Sequence, residues 1–64
     1  MVLYGMIWKA IDRADAETIA ARSGGIVVAP ENPGDSWGVF HEASADVRSE
    51  LKAFGWLRRL EIQA

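Results

Sequence analysis

The sequence contains no cysteine and only one histidine, His41. Small domains are often stabilised by disulfides or by a zinc ion held by clustered Cys and His, and neither device is available to this chain. We expect residues 1–64 to form a single domain. A chain of this length buries only about 60% of the surface that its unfolded state exposes. Its stability must therefore come from good packing or from self-association, and we expect no metal and no cofactor.

Basic residues are also few and dispersed. Seven Lys and Arg stand against nine Asp and Glu, which gives a net charge of −2, and the one adjacent basic pair is Arg58-Arg59. Nonspecific nucleic-acid binding depends on clustered Lys and Arg, so nucleic acid is not an expected partner. No apolar run approaches the roughly 20 residues of a membrane-spanning helix. Residues 1–11 lack the basic segment and cleavage site of a signal peptide. We expect a cytoplasmic protein that has no membrane partner.

Catalytic and ligand-binding motifs are not found either. Ser36 or Ser44 could be combined with His41 and a nearby acid, but both serines have turn or capping roles. His41 and Glu42 are neighbours on a predicted strand, so their side chains point to opposite faces and do not form a metal pair. The sequence therefore predicts no catalytic residue, and we favour a function without catalysis over an enzymatic one.

The sequence is rich in apolar residues. Half of the residues are hydrophobic, and they include three Trp, two Phe and one Tyr. Residues 2–11 are apolar at both odd and even positions, which predicts a strand that is covered on both faces. Asp12 can cap the helix that follows, and a stripe of small side chains on that helix would allow it to approach a sheet closely. Ser23-Gly24-Gly25 predicts the end of the helix.

The second half of the chain again predicts strands followed by a helix. Residues 26–30 predict a short strand, and Pro30 places it at a sheet edge because proline lacks a backbone donor. Asn32-Pro33-Gly34-Asp35 predicts a type II turn, after which residues 36–42 return as the partner strand. Ser44 can cap a second helix.

In this second helix Val47, Leu51 and Phe54 share one face. Its end is ambiguous, because Gly55 can either stop the helix or be carried within it at a cost of about 1 kcal/mol. We favour a last strand over residues 56–62. The element order is then β-α-β-β-α-β, an α+β fold that permits a ferredoxin-like antiparallel sheet with two helices on one face. The alternative is βαββα with a long C-terminal helix.

The sheet suggests a working surface. If Leu3 and Ile7 face the helices, then Tyr4, Met6, Trp8 and Phe40 lie on the open face and form a partner-binding aromatic face. An open apolar patch of that size usually marks an interface. A second copy of the chain is the first occupant to consider, which makes a homo-oligomer an expected state, and another protein or protein complex is the next.

A second candidate surface is acidic. In the expected topology the first helix starts at the same end of the sheet as the hairpin turn. This brings together Asp12, Asp15, Glu17, Glu31 and Asp35. Acids belong at helix starts and in turns for structural reasons, so we favour that interpretation. The functional alternative is an acidic patch that binds a basic partner.

Taken together, these features predict a small noncatalytic protein-binding module, an adaptor or an inhibitor of a larger macromolecular complex. Inhibitors of this size are common in phages and mobile elements, the anti-CRISPR proteins among them. One alternative is a small oligomeric enzyme or ligand-binding protein whose subunit-interface site draws on His41, Tyr4 and Arg58. Another is a nucleic-acid binder that stacks bases on the aromatic face.

Overall fold

The computed structural model describes residues 1–63. The elements follow in the order β1 (Val2–Ala10), α1 (Arg13–Ser23), β2 (Ile26–Val28), β3 (Trp37–Glu42), α2 (Ala45–Phe54) and β4 (Arg58–Glu61). The chain is therefore α+β, and the predicted β-α-β-β-α-β succession is confirmed. Among the described residues, neither helix has the length and apolar character needed to cross a membrane.

The four strands form one open sheet in the order β2-β3-β1-β4, and every neighbouring pair is antiparallel. β1 pairs with β3 along its second half, where Trp8 lies opposite Val39 and Ala10 lies opposite Trp37. It pairs with β4 only along its first half, from Val2 to Gly5. β2 is an outer strand, as Pro30 predicted. β1 is thus central along only part of its length.

The limits of α1 follow the predicted caps. The Asp12 carboxylate accepts a hydrogen bond from the Asp15 amide at 2.8 Å. At the other end, Gly24 adopts a left-handed conformation with φ of 76° and donates its amide to Ala20. Glycine is the residue that reaches this conformation without steric cost, and for that reason the helix stops there.

α2 lacks a side-chain cap at its N-terminus but has a glycine cap at its C-terminus. Ser44 holds the N-cap position, but its side chain makes no capping hydrogen bond. Gly55 is left-handed, with φ of 76°, and the Trp56 amide donates to the Leu51 carbonyl at 2.8 Å. The alternative of a long C-terminal helix is therefore wrong, since the chain leaves the helix after Phe54 and forms β4.

One core lies between α1 and the sheet. Ala16 of α1 is fully buried against Ala10 and Val39, and Ile19 and Trp37 pack around them. The small side chain of Ala16 allows the helix axis to come close to the strands, as the alanine stripe predicted. α2 contributes less, because Leu51 is buried whereas Val47 and Phe54 are exposed.

The two faces of the sheet are not distributed as the sequence led us to expect. Trp8 is opposite Val39, so Tyr4, Met6 and Trp8 share the face that α1 covers in part. Phe40 is opposite Ile7, on the other face, and none of its surface is accessible. The prediction that Leu3 and Ile7 face the helices, with Tyr4, Met6 and Trp8 on the open face, is therefore wrong for α1. The prediction that Phe40 shares a face with those three residues is also wrong. Alternation along β1 could not reveal this, because both of its faces are apolar.

Candidate functional site

The second half of β1 has an unpaired edge. β4 begins at Arg58, opposite Gly5, and no described residue continues the pairing from Met6 to Ala10 on that side. Unpaired strand edges are templates for pairing with another chain, and proteins usually cover or interrupt them. This edge is therefore a candidate binding site.

A groove runs along this edge. It has a volume of about 380 Å³ and is lined by Met6, Ile7, Trp8, Trp56 and Arg58; we call it the edge groove. Trp8 and Trp56 stand at its rim and are 53% and 55% exposed. The lining is apolar except for the guanidinium of Arg58, which donates to the carbonyls of Gly55 and Leu57 at 3.1 Å. These two bonds hold the Arg58 side chain against the loop between α2 and β4.

Further aromatic side chains extend the apolar rim. Phe54 stacks on Trp56 with 5.0 Å between ring centroids and 23° between planes, although Phe54 is itself 67% exposed. On the other side, Trp8 meets the His41 ring edge-on with centroids 6.0 Å apart. We call Trp8, Phe54 and Trp56 the aromatic surface. Exposed rings of this kind, at the mouth of a groove, are typical of protein interfaces.

Of the four residues predicted to bind a partner, Met6 and Trp8 line the edge groove. Tyr4 lies outside it, partly exposed, with the guanidinium carbon of Arg48 5.9 Å from its ring centroid. Phe40 is inaccessible and takes no part. The sequence interpretation also missed Phe54 and Trp56. The available signal was the run Phe54-Gly55-Trp56, in which two aromatic residues flank a glycine that turns the chain.

The predicted acidic patch involves the start of α1 and the turn between β2 and β3. Ala10 pairs with Trp37, which places the start of α1 beside the hairpin, and the turn there has Gly34 at φ of 94°. Arg13 lies within this end, with its guanidinium carbon 5.9 Å from the Trp37 ring. This end of the sheet therefore also carries a basic residue, and no group of metal-ligating side chains occurs within residues 1–63.

Several of these acids also have local partners. Glu17 forms a salt bridge with Arg13 at 2.9 Å. Asp12 caps α1, and the second carboxylate oxygen of Asp15 accepts from the Ile11 amide at 2.9 Å. In the turn, the Asn32 amide donates to Asp35 at 3.3 Å. The local bonds account for these positions in structural terms, and an acidic docking patch stays a prediction.

His41 has a structural environment. Its Nε2 lies 2.6 Å from the hydroxyl oxygen of Ser23, and that hydroxyl also lies 2.7 Å from the carbonyl of Ile19. Since the carbonyl can only accept, the Ser23 proton is committed to Ile19 and Nε2 must be the donor to Ser23. A serine whose proton is committed in this way is not poised as a nucleophile. Ser36 and Ser44 are not the partners of His41.

Comparison of the chain with protein-family models, with curated proteins and with solved structures gives no match. Its function therefore has to be argued from its own surface. The edge groove and the aromatic surface beside it combine an exposed strand edge with exposed rings.

Proposed function

We propose that the protein is a noncatalytic protein-binding module that acts as an adaptor or inhibitor, and that it binds through the aromatic surface and the edge groove. The observation that supports this proposal most directly is the exposure of Trp8, Phe54 and Trp56, each more than half accessible. Burying such rings is a large favourable contribution to association. A small domain gains nothing for its own stability by leaving them in water. A cytoplasmic setting and a larger macromolecular complex as target belong to the same proposal.

The location of these rings also supports binding. Trp8 comes from β1, whereas Phe54 and Trp56 come from the end of α2 and the loop that follows it. Two distant parts of the chain thus contribute Trp8 and Trp56 to the lining of the edge groove, and Phe54 stacks on Trp56. Aromatic side chains have few rotatable bonds, so they lose little conformational entropy when they bind, and this favours affinity.

The proposal is tested by affinity capture from a lysate of the source cell. We would compare the tagged wild-type protein with the double variant Trp8→Ser/Trp56→Ser. Ile11→Ser is the matched control, because Ile11 is 91% exposed but lies outside the groove. We expect the wild type and the control to retain the same partner and the double variant to lose it. Equal capture by all three proteins, with circular dichroism showing that all are folded, would contradict the proposal.

A second copy of the chain is the competing occupant of the aromatic surface. Light scattering over a range of concentrations distinguishes the two cases, since the average mass of a self-associating protein rises from monomer toward dimer with concentration. A dimer that dissociates in the Trp8→Ser/Trp56→Ser variant would assign the surface to self-association. A monomer at all concentrations would leave the surface free for another protein.

We further propose that the fold is the ferredoxin-like arrangement with both helices on one face. The element order supports this, as does the position of Arg48 in α2 over the ring of Tyr4, which shares its face with the residues packed on α1. Nuclear Overhauser contacts between Arg48 and Tyr4 are expected. Contacts between α2 and the ring of Phe40 would instead place α2 on the opposite face.

A further inference from the structure

We propose that the outer edge of β4 pairs with the outer edge of β4 in a second copy of the chain, so that the two four-stranded sheets become one continuous sheet across a twofold axis. This edge is a different surface from the edge groove and the aromatic surface, and the inference therefore goes beyond the proposed function. Three features of β4 support it: the direction of its backbone groups, the order of its charges, and its apolar face.

β4 is an outer strand with one unpaired side. The sheet order β2-β3-β1-β4 places β1 on one side of it, and no described residue pairs with the other side. Arg58, Arg59 and Glu61 are exposed, and Leu60 is partly buried. An unpaired edge is a template for another strand unless something blocks it, and the four residues of β4 include no proline and no glycine. The edge is therefore free to accept a strand.

The backbone directions of β4 follow from the hydrogen bonds at the end of the sheet. Met1 and Ile62 exchange two hydrogen bonds, at 2.9 and 2.8 Å, so the backbone groups of Ile62 point toward β1. In an antiparallel strand every second residue points the same way, so those of Leu60 also point toward β1. The N–H and C=O groups of Arg59 and Glu61 therefore point to the unpaired side.

A twofold axis at Leu60 would pair all of these outward groups. An axis perpendicular to the sheet makes the two β4 strands antiparallel, and the same surface then meets itself. Arg59 lies opposite Glu61 of the second copy, and Glu61 lies opposite Arg59 of that copy. Each of these two pairs can exchange two backbone hydrogen bonds, because all four residues direct their backbone groups to the shared edge.

The charges of β4 are complementary to themselves in this register. Arg59 and Glu61 share a face, since they are two residues apart, and their side chains lie 3.6 Å apart within one copy. Opposite charges directly across a strand pair stabilise a sheet, whereas like charges destabilise it. An axis at residue 59 would place Arg opposite Arg, and an axis at residue 61 would place Glu opposite Glu. The charges therefore favour the axis at Leu60.

The other face of β4 contributes apolar contact. Leu60 would lie beside Leu60 of the second copy at the axis, and Ile62 shares this face. Both side chains are only partly buried in one copy, so pairing would remove more of their surface from water. An interface of one strand from each copy is small, and we therefore expect the dimer to form in a concentration-dependent way.

Charge reversal tests the proposal most sharply. Arg59→Glu and Glu61→Arg each place like charges opposite one another, so each should raise the dissociation constant of the dimer by at least about tenfold. The double swap Arg59→Glu/Glu61→Arg restores both opposite pairs and should return the constant to within about threefold of the wild type. Sedimentation equilibrium measures the constants, and circular dichroism checks that each variant is folded.

Mixing the two single variants gives a second comparison. Arg59→Glu protein has two acids on β4 where Glu61→Arg protein has two bases, so an equimolar mixture should form a heterodimer although each variant alone is monomeric. Arg22→Glu is the matched control, because it makes the same change in charge at the end of α1 and should leave the dimer intact. A wild type that stays monomeric up to about 1 mM, or single variants that dimerise as tightly as the wild type, would overturn the proposal.

Amide hydrogen exchange of the wild-type protein tests the backbone pairing without any substitution. The amides of Arg59 and Glu61 should exchange rapidly in dilute protein and become protected as the concentration rises. The amide of Leu60, which points toward β1, should be protected at both concentrations and is the internal control. Rapid exchange of Arg59 and Glu61 in a sample that is dimeric by sedimentation would overturn the proposal.

The variant Trp8→Ser separates this inference from the proposed function. Trp8 lies on β1, which is not the outer strand, so the variant should dimerise like the wild type while capture of another protein is weakened. A dimer that is lost in Trp8→Ser would assign self-association to the aromatic surface and overturn the inference. Monomeric Arg59→Glu protein should still capture the partner of the wild type. The two proposals can therefore fail independently.

Discussion

The imidazole of His41 and the hydroxyl of Ser23 are joined by a hydrogen bond of 2.6 Å, which links β3 to the last turn of α1. The other ring nitrogen, Nδ1, is buried and has no hydrogen-bond partner among the described residues. Gly25 leaves room for this ring, because a Cβ there would lie 2.8 Å from Nε2. Three residues that do not line the edge groove thus determine how the end of α1 is attached to the sheet.

We expect Ser23→Ala to lower the free energy of unfolding by about 1 kcal/mol, because it removes this bond and leaves both ring nitrogens of His41 unpaired. Chemical denaturation measures the change. Ser49→Ala is the control, since the hydroxyl of Ser49 makes only an exposed hydrogen bond at 3.5 Å and its loss should alter stability by less than about 0.5 kcal/mol. Equal effects of the two substitutions would show that the link between α1 and β3 contributes nothing.

The two helix N-caps should respond differently to the same change. Asp12→Ala removes a side-chain bond to the Asp15 amide and should cost about 1 kcal/mol. Ser44→Ala should cost much less, because the Ser44 side chain makes no such bond. Thermal unfolding of the two variants in one buffer makes the comparison. A larger loss from Ser44→Ala would contradict the difference between the caps.

Burial predicts opposite results for the two phenylalanines. Phe40 is fully inaccessible, so Phe40→Ala should cost about 3–5 kcal/mol, which is comparable with the whole stability of so small a domain. Phe54 is 67% exposed, and Phe54→Ala should cost about 0.5 kcal/mol. Phe40→Leu keeps an apolar side chain at the buried position and should remain folded. Denaturant titrations of the three variants test this order, and a folded, unperturbed Phe40→Ala protein would contradict it.

Two glycines should differ because their surroundings differ. A Cβ at Gly38 would lie 2.7 Å from the Ile7 side chain and 3.3 Å from the Trp8 carbonyl, so Gly38→Ala forces the Ile7 side chain to move and β1 to shift slightly. Gly24 has open space around it, and Gly24→Ala is opposed only by the φ of 76°, at a cost of about 1 kcal/mol. We expect Gly38→Ala to be the more destabilising of the two by thermal unfolding. The reverse order would contradict the close approach at Gly38.

The surface was only partly predictable from the sequence. Met6 and Trp8 were expected to be available and do line the edge groove. Trp56 joins them only because Gly55 ends α2 and β4 starts opposite Gly5, so that the loop brings residue 56 beside residue 8. No pattern of spacing in the sequence predicts that Trp8 and Trp56 line the same groove. The sequence did not predict which face of the sheet Phe40 lies on, because its strand has apolar residues on both faces.

By itself the sequence determined the order of the elements and most of their limits. Asp12, Gly24, Gly34 and Gly55 act through local hydrogen bonds and backbone angles, which neighbouring residues are sufficient to define. Tertiary structure decided which face of β1 meets α1, how far β4 extends along it, and hence where an unpaired edge remains. Those outcomes depend on how well side chains from distant segments pack together, and periodicity along a strand with two apolar faces carries no information about that.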